Sequence, residues 1–245
     1  MDSNNKFLII HKINKGLFVL GNMKVFIVIP AYNEAAKIGK VIRDLKKYNY
    51  CNIVVVDDGS KDNTSEVAKK NGAFVIKQIM NLGAGGATIT GFDYAIREGA
   101  DIIVTIDADG QHDVKDIKKV MQPILDKKAE LVIGSRLMNP KGMPFIRRFG
   151  NTCLNILTFL LFGVWTTDSQ SGFKAMTKEA YKKMHLKSNG FEICSEIIKE
   201  IGRTRIKFTE VPIKVIYTDY SMSKGQSIMN GIKTFINLAK RKFFD

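Results

Sequence analysis

The chain has few cysteines and no long hydrophobic run. Three cysteines in 245 residues (Cys51, Cys153, Cys194) make an odd count with no CxxC spacing. That excludes a disulfide framework and a cysteine zinc site, and it suits a reducing compartment. No stretch approaches the roughly 18 apolar residues of a membrane-spanning helix. The longest approach, CLNILTFLLFGVW at Cys153–Trp165, is too short. The first 22 residues lack the order of a signal peptide, because Lys12 and Lys15 interrupt the apolar run and no small-residue cleavage site follows. Acidic charge is also scarce: 24 Asp and Glu face 38 Lys and Arg, for a formal net charge of +14. Such an excess points to a polyanionic partner, whether nucleic acid, an anionic membrane or a phosphorylated substrate.

What is present is a repeating alternation. Short apolar runs at Val25–Pro30, Asn52–Asp58, Phe74–Ile79, Ile102–Ile106 and Leu131–Ser135 read as buried strands. Between them lie amphipathic segments, one with Ile38, Val41, Ile42 and Leu45 at helical spacing, another from Asp113 to Lys127 with Pro123 as an expected kink. Asn33 is the expected cap of the first helix, and Asn63-Thr64-Ser65-Glu66 resembles a capping box. Strand–helix alternation with continuous apolar strands predicts an α/β fold, a mainly parallel sheet covered by helices on both faces. Beyond Arg136 come a basic loop, MNPKGMPFIRR, the apolar segment, a strand-like IKFTEVPIKVIY, and a basic amphipathic helix near the C-terminus.

Parallel sheets bind ligands beyond the carboxyl ends of their strands. Four strand ends here carry polar clusters: Tyr32-Asn33-Glu34, Asp57-Asp58-Gly59-Ser60, Asn81–Gly86 and Asp107-Ala108-Asp109. Alternate strand residues point the same way, so Asp107 and Asp109 can face one cavity. Two close carboxylates call for a divalent cation, and hard oxygen donors suit Mg2+ or Mn2+. Gln111 adds a neutral oxygen at the next alternate position. A plain turn with Asp113 as a helix cap is the competing reading. His112 stands beside this motif as either a supporting donor or a surface residue. NLGAGGA fits neither a dinucleotide fingerprint nor a P-loop, and it reads equally as a phosphate cradle at a helix start or as a tight glycine turn.

Taken together, VFIVIPAYNEAAKIGKVI, VVVDDGSKDNT, NLGAGGATITG, TIDADGQHD, VIGSR, RRFGN and DSQSGFKAM resemble family-two glycosyltransferases, in particular the dolichyl- or polyprenyl-phosphate sugar synthases. The resemblance spans about Met23 to Gln226. It implies a GT-A fold with a Rossmann-like nucleotide half and acceptor-side helices toward the C-terminus, a GDP- or UDP-sugar donor and an inverting, metal-dependent transfer. Residues 1–22 would then be an extension, 23–226 the catalytic domain and 227–245 the basic helix. By motif, Pro30, Tyr32, Glu34 and Asp58, with Asp57 beside it, would hold the nucleoside. Asp107 would lie against the donor, and Asp109 with Gln111 would ligate the metal. Arg136, Arg147 and Arg148 would grip the acceptor phosphate, Asp168 and Glu192 would sit near the reacting sugar, and Lys224 would reach the phosphates. Two positions depart from the family pattern: Ala84 stands where a lysine is common, and no arginine precedes Ser223-Lys224.

A lipid-phosphate acceptor is already ionised and needs no strong base, whereas a sugar hydroxyl would need one, with Asp168 the expected residue. The expected partners are thus a nucleotide sugar, a lipid-phosphate or sugar acceptor, and a peripheral contact with the inner face of a membrane, with no nucleic acid. A nucleotidyltransferase is the rival enzyme, but its glycine-rich loop after the first strand is missing: IPAYNEAAK has none. A non-enzymatic basic binding protein would have no use for the carboxylate-bearing strand ends.

Overall fold

A computed structural model describes residues 19–20 and 23–216. Its elements run β1 (Val19–Leu20), β2 (Met23–Ala31), α1 (Ala35–Lys47), β3 (Ile53–Asp57), α2 (Thr64–Lys70), β4 (Phe74–Lys77), α3 (Ala84–Arg97), β5 (Ile102–Thr105), α4 (Asp116–Leu125), β6 (Leu131–Ser135), α5 (Phe145–Phe162), β7 (Lys174–Thr177), α6 (Lys178–Lys183), α7 (Ile193–Thr204) and β8 (Phe208–Pro212). The sheet order is β4-β3-β2-β5-β7-β6-β8, and β1 pairs antiparallel with β2. That pairing carries the end of the expected extension 1–22 into the domain. The helix expected near the C-terminus lies outside the described residues.

Alternation along β2 divides the core in two. Val25, Ile27 and Ile29 join residues of α1 and α4 on one face, while Phe26 and Val28 join α3 and α7 on the other. Both faces are therefore apolar, and this is why the strands read as unbroken hydrophobic runs. One close approach is decisive. A Cβ on Gly91 of α3 would run into Val28 and meet Val56 at 3.1 Å, so glycine there lets the helix lie against the sheet.

Most neighbours in the sheet are parallel, but β7 is antiparallel to both β5 and β6. The reversal has a consequence for the site. The carboxyl ends of β2, β3, β5 and β6 form one rim, and the segment leading into β7 (166–173) arrives at that same rim. One inserted strand thereby adds a second set of polar groups to the cavity.

Several expected caps are replaced by contacts between strand ends. Asn33 does not cap α1. It takes a left-handed conformation (φ 54°), and its Oδ1 accepts from Lys61 N at 2.9 Å. The N–H groups of Glu34 and Ala35 go instead to Thr64 Oγ1 and Asp62 Oδ2. No capping box forms at Asn63; Asp62 Oδ1 accepts from Thr64 N at 3.0 Å. The helix expected from Asp113 starts at Asp116, because the Asp113 carboxylate closes a turn onto Lys115 N.

Helix α5 is built the other way out. Its buried residues are polar, Asn155 and Thr158, while Phe145 (81% exposed), Ile146, Phe149, Ile156, Phe159 and Leu160 (68%) face outward. Among the described residues no helix is long and apolar enough to cross a membrane.

Gly91→Ala should test the α3 packing. Helix propensity favours alanine by about 1 kcal/mol, but overpacking costs about 1–3 kcal/mol. The expected result in urea unfolding is a lower midpoint with an unchanged slope.

Candidate active site

One side of the rim lies at the ends of β2, β3 and β5. Tyr32 is exposed there, with Pro30 and Glu34 half-buried beside it. The Tyr32–Ala35 turn is stapled to the loop after β3, since Asn33 N donates to Ser60 Oγ and Glu34 N to Thr64 Oγ1, both at 2.9 Å. Asp58 accepts from Leu82 N at 2.7 Å and Gly83 N at 2.9 Å. Burial pushes its carboxyl upward, the two backbone donors oppose this, and Asp57 nearby adds to the rise. Asp57 itself corrects the sequence expectation. It is fully buried, and its carboxylate is used by Ser60 N (2.8 Å) and the Ser65 hydroxyl. It closes its own turn, while Asp58, 3% exposed, ties the end of β3 to the 82–83 backbone.

The glycine segment is resolved in favour of packing. Gly85 N and Gly86 N both donate to Asn189 O, at 2.7 and 3.1 Å. Those donors are therefore not aimed at a phosphate. Gly83 (φ 92°) and Gly85 leave no room for a Cβ against Ser188 and Asn189, so glycine is needed for the 188–190 loop to lock onto α3.

At the centre, Asp107 is 45% exposed and its Oδ2 accepts from His112 Nε2 at 2.9 Å. His112 is buried and leans on Phe173 with ring centroids 5.1 Å apart. It is thus a supporting donor, and the surface alternative falls away. Burial drives the Asp107 carboxyl up, but His112, Arg136 and Lys174 outweigh it and hold the group below the usual carboxylate range. Asp109 goes the other way: burial and then the Asp107 charge push it up, against Gln111 and His112. Two neighbouring carboxylates are driven apart in this manner when no cation lies between them. Asp109 accepts from Gln111 N at 2.9 Å and from the Gln111 side-chain amide, so the two side chains are within ligand reach of one another.

The residue types fit a small hard cation: the carboxylates of Asp107 and Asp109 repel each other, and Gln111, whose amide nitrogen rests on Asp109 Oδ2, would turn its oxygen to the ion. Among the described residues no group of three His, Cys, Asp or Glu side chains could hold a metal unaided.

The other side of the cavity is organised by an ion pair. Asp168 is fully buried, and Arg136 binds it three times: N and Nε to Oδ2 at 2.8 and 2.7 Å, and Nη2 to Oδ1 at 2.7 Å. Burial alone would weaken the guanidinium's hold on its proton, but the Asp168 charge overcomes this and holds Arg136 more firmly protonated than usual. Both Asp168 oxygens are engaged by Arg136, a positioning geometry; the expectation of Asp168 as a proton acceptor applied to a hydroxyl acceptor alone. Arg147 and Arg148 do not lie in a loop as expected but in the first turns of α5, half-buried and exposed respectively. Glu192 is buried at the start of α7. Lys224 lies outside the described residues.

Two residues escaped the sequence reading. Lys174, a buried cation in β7, donates to Ser171 O and adds its charge to the field on Asp107. The visible signal was a lysine inside the apolar run GFKAM. Gly172 is the other, because a Cβ there would collide with the Asp107 carboxylate.

Comparison with known proteins decides the family. The profile of Glycosyl transferase family 2 matches residues 26–185. The chain belongs to this family. The UDP-N-acetylglucosamine–dolichyl-phosphate N-acetylglucosaminyltransferase of Methanococcus voltae is 44% identical over 240 residues, covering 89% of this chain and 96% of that one. The polyprenol monophosphomannose synthase of Mycolicibacterium smegmatis is 27% identical over 223 residues, covering 85% and 82%. Such relatives place the chain in the polyprenyl-phosphate sugar synthase branch. Glucosyl-3-phosphoglycerate synthase of Mycobacterium tuberculosis, solved with Mn2+, UDP and glucosyl-3-phosphoglycerate, shares the fold at a TM-score of 0.67 and 18% identity, covering 90% of this chain and 80% of that one. The fold is accordingly GT-A, and the protein is a glycosyltransferase.

Gly172→Ala should push the Asp107 carboxylate off its partners. A displacement near 1 Å costs about 100-fold in rate. Steady-state transfer assays should show that loss in kcat, with circular dichroism unchanged.

Proposed function

We propose that this glycosyltransferase moves a sugar, with inversion, from a nucleoside diphosphate sugar to a polyprenyl or dolichyl phosphate. The observation that carries this reading is the engaged Asp168. A hydroxyl acceptor would need a base, and the carboxylate expected for that work has both oxygens on Arg136. A phosphate monoester needs none, and a planar guanidinium held at a fixed angle suits phosphate oxygens. The 44% identical relative from Methanococcus voltae makes UDP-N-acetylglucosamine the first donor to try.

In the proposed reaction an acceptor phosphate oxygen attacks the anomeric carbon, the bond to the nucleoside diphosphate breaks, and UDP leaves with that electron pair. Tyr32, Pro30, Glu34 and Asp58 frame the nucleoside. Arg136, assisted by Arg147 and Arg148 on α5, orients the acceptor phosphate. Glu192 would lie near the sugar, and Lys224 would meet the diphosphate. Asp107, kept ionised by His112, Arg136 and Lys174, is suited to face the positive charge that develops at the sugar carbon. Asp109 and Gln111 would hold Mg2+ or Mn2+, which supplies charge stabilisation at the leaving diphosphate.

The lipid acceptor also gives the outward apolar face of α5 a partner. Phe145, Ile146, Phe149, Ile156 and Leu160 would rest in the headgroup region of the membrane's inner face, aided by the excess positive charge.

Two substitutions test the reading with UDP-N-acetylglucosamine and a polyprenyl phosphate in vesicles. Asp109→Asn should abolish Mn2+-dependent transfer and leave the thermal midpoint within a few degrees of wild type. Wild-type turnover by that variant would sink the metal assignment. Arg136→Lys should raise the acceptor KM at least tenfold, the order lost with about 1.4 kcal/mol of binding, and leave the donor KM alone. A rise in the donor KM instead would put Arg136 on the wrong side of the cavity.

A further inference from the structure

Helix α5 presents its apolar residues to solvent and turns Asn155 inward, 3% exposed. Asn155 Nδ2 donates to Thr167 O at 2.6 Å, and its Oδ1 accepts from Ser169 N at 2.8 Å. These two bonds bracket Asp168. The same short segment is held from the sheet: Thr166 Oγ1 donates to Glu210 of β8 at 2.7 Å, Thr167 N and Oγ1 donate to it at 2.9 Å, and Thr167 Oγ1 meets Ser135 Oγ of β6 at 2.7 Å. Asp168 then fixes Arg136 through three hydrogen bonds. A continuous path runs from the outward helix to the guanidinium, and only one α5 side chain, Asn155, makes both bonds to the Asp168 segment.

We propose that Asn155 is a positioning residue that makes the grip of Arg136 on the acceptor phosphate depend on how α5 is docked. This rests on the reading that α5 meets a membrane and Arg136 meets the acceptor. A closely packed segment held by several hydrogen bonds moves as a unit rather than yielding continuously. Seating the apolar face of α5 on a bilayer therefore fixes the helix, and the Asn155 amide passes that fixed position to Asp168 and Arg136. The enzyme would hold its acceptor weakly in solution and tightly on the surface where the acceptor resides.

The experiment separates docking from delivery of the lipid. Transfer is measured to dimethylallyl phosphate, a water-soluble phosphate monoester, with and without anionic vesicles that contain no acceptor. In wild type the vesicles should lower the acceptor KM about tenfold, the scale of coupling through a hydrogen-bonded chain, and leave the donor KM unchanged. Asn155→Ala should show the high KM in both conditions. An unresponsive wild type, or a variant that responds fully, overturns the proposal. If Asn155→Ala does not fold, Phe149→Ser/Leu160→Ser on the exposed face must lose the vesicle response instead, and a retained response counts against the coupling. If wild type transfers to no prenyl phosphate, the proposed function fails by itself. Amide exchange at residues 166–170 then decides the coupling: blank vesicles should slow it in wild type, and no slowing overturns it.

Discussion

The ion pair between Asp168 and Arg136 is the constraint around which the rim at the end of β6 is arranged. A fully buried carboxylate is tolerated only when a cation and hydrogen bonds satisfy it. Arg136 does so with its backbone N–H and two guanidinium nitrogens. The pair in turn requires that the chain return to the sheet between β5 and β6, because that inserted, reversed strand brings residues 166–173 to the rim where β6 ends. Asn155 from α5, Glu210 from β8 and Ser135 from β6 hold the returning segment in place. Three elements far apart in sequence thus converge on one guanidinium.

The rim at the end of β5 solves a different electrostatic problem. Asp107 and Asp109 repel each other, and the surroundings treat them unequally: His112, Arg136 and Lys174 keep Asp107 ionised, while burial and Asp107 itself push Asp109 upward. One carboxylate is thereby prepared as a fixed negative charge and the other as a group that gains from a cation. Gly172 permits the arrangement by having no side chain where the Asp107 carboxylate sits.

The strands, the parallel sheet and the polar rim were legible in the sequence because each depends on local patterning: unbroken apolar runs, helical spacing, and Asp and Gly at strand ends. Features that depend on distant partners were not. Asn33 has the chemistry of a helix cap, but its left-handed backbone and its bond to Lys61 are set by a neighbouring loop 28 residues away. Asp57 and Asp58 are adjacent and alike in sequence, yet only the fold shows that Asp57 turns inward to Ser60 and Ser65. The apolar run of α5 was visible as composition, and only the fold shows which side of the helix meets the protein and that Asn155 and Thr158 are the residues turned inward. Asn155 gave no signal at all; its role exists only through Thr167 and Ser169.

A hydroxyl acceptor and a phosphate acceptor make opposite demands on Asp168, so comparing matched acceptors tests the central claim most directly. Wild-type enzyme with UDP-N-acetylglucosamine and Mn2+ would be given a polyprenyl phosphate and, separately, the corresponding polyprenol, with products identified by mass spectrometry. Glycosyl phosphate formed from the phosphate alone is the expected result. Glycoside formed from the alcohol, with none from the phosphate, would contradict the assignment of Arg136 and Asp168 as an acceptor-phosphate clamp.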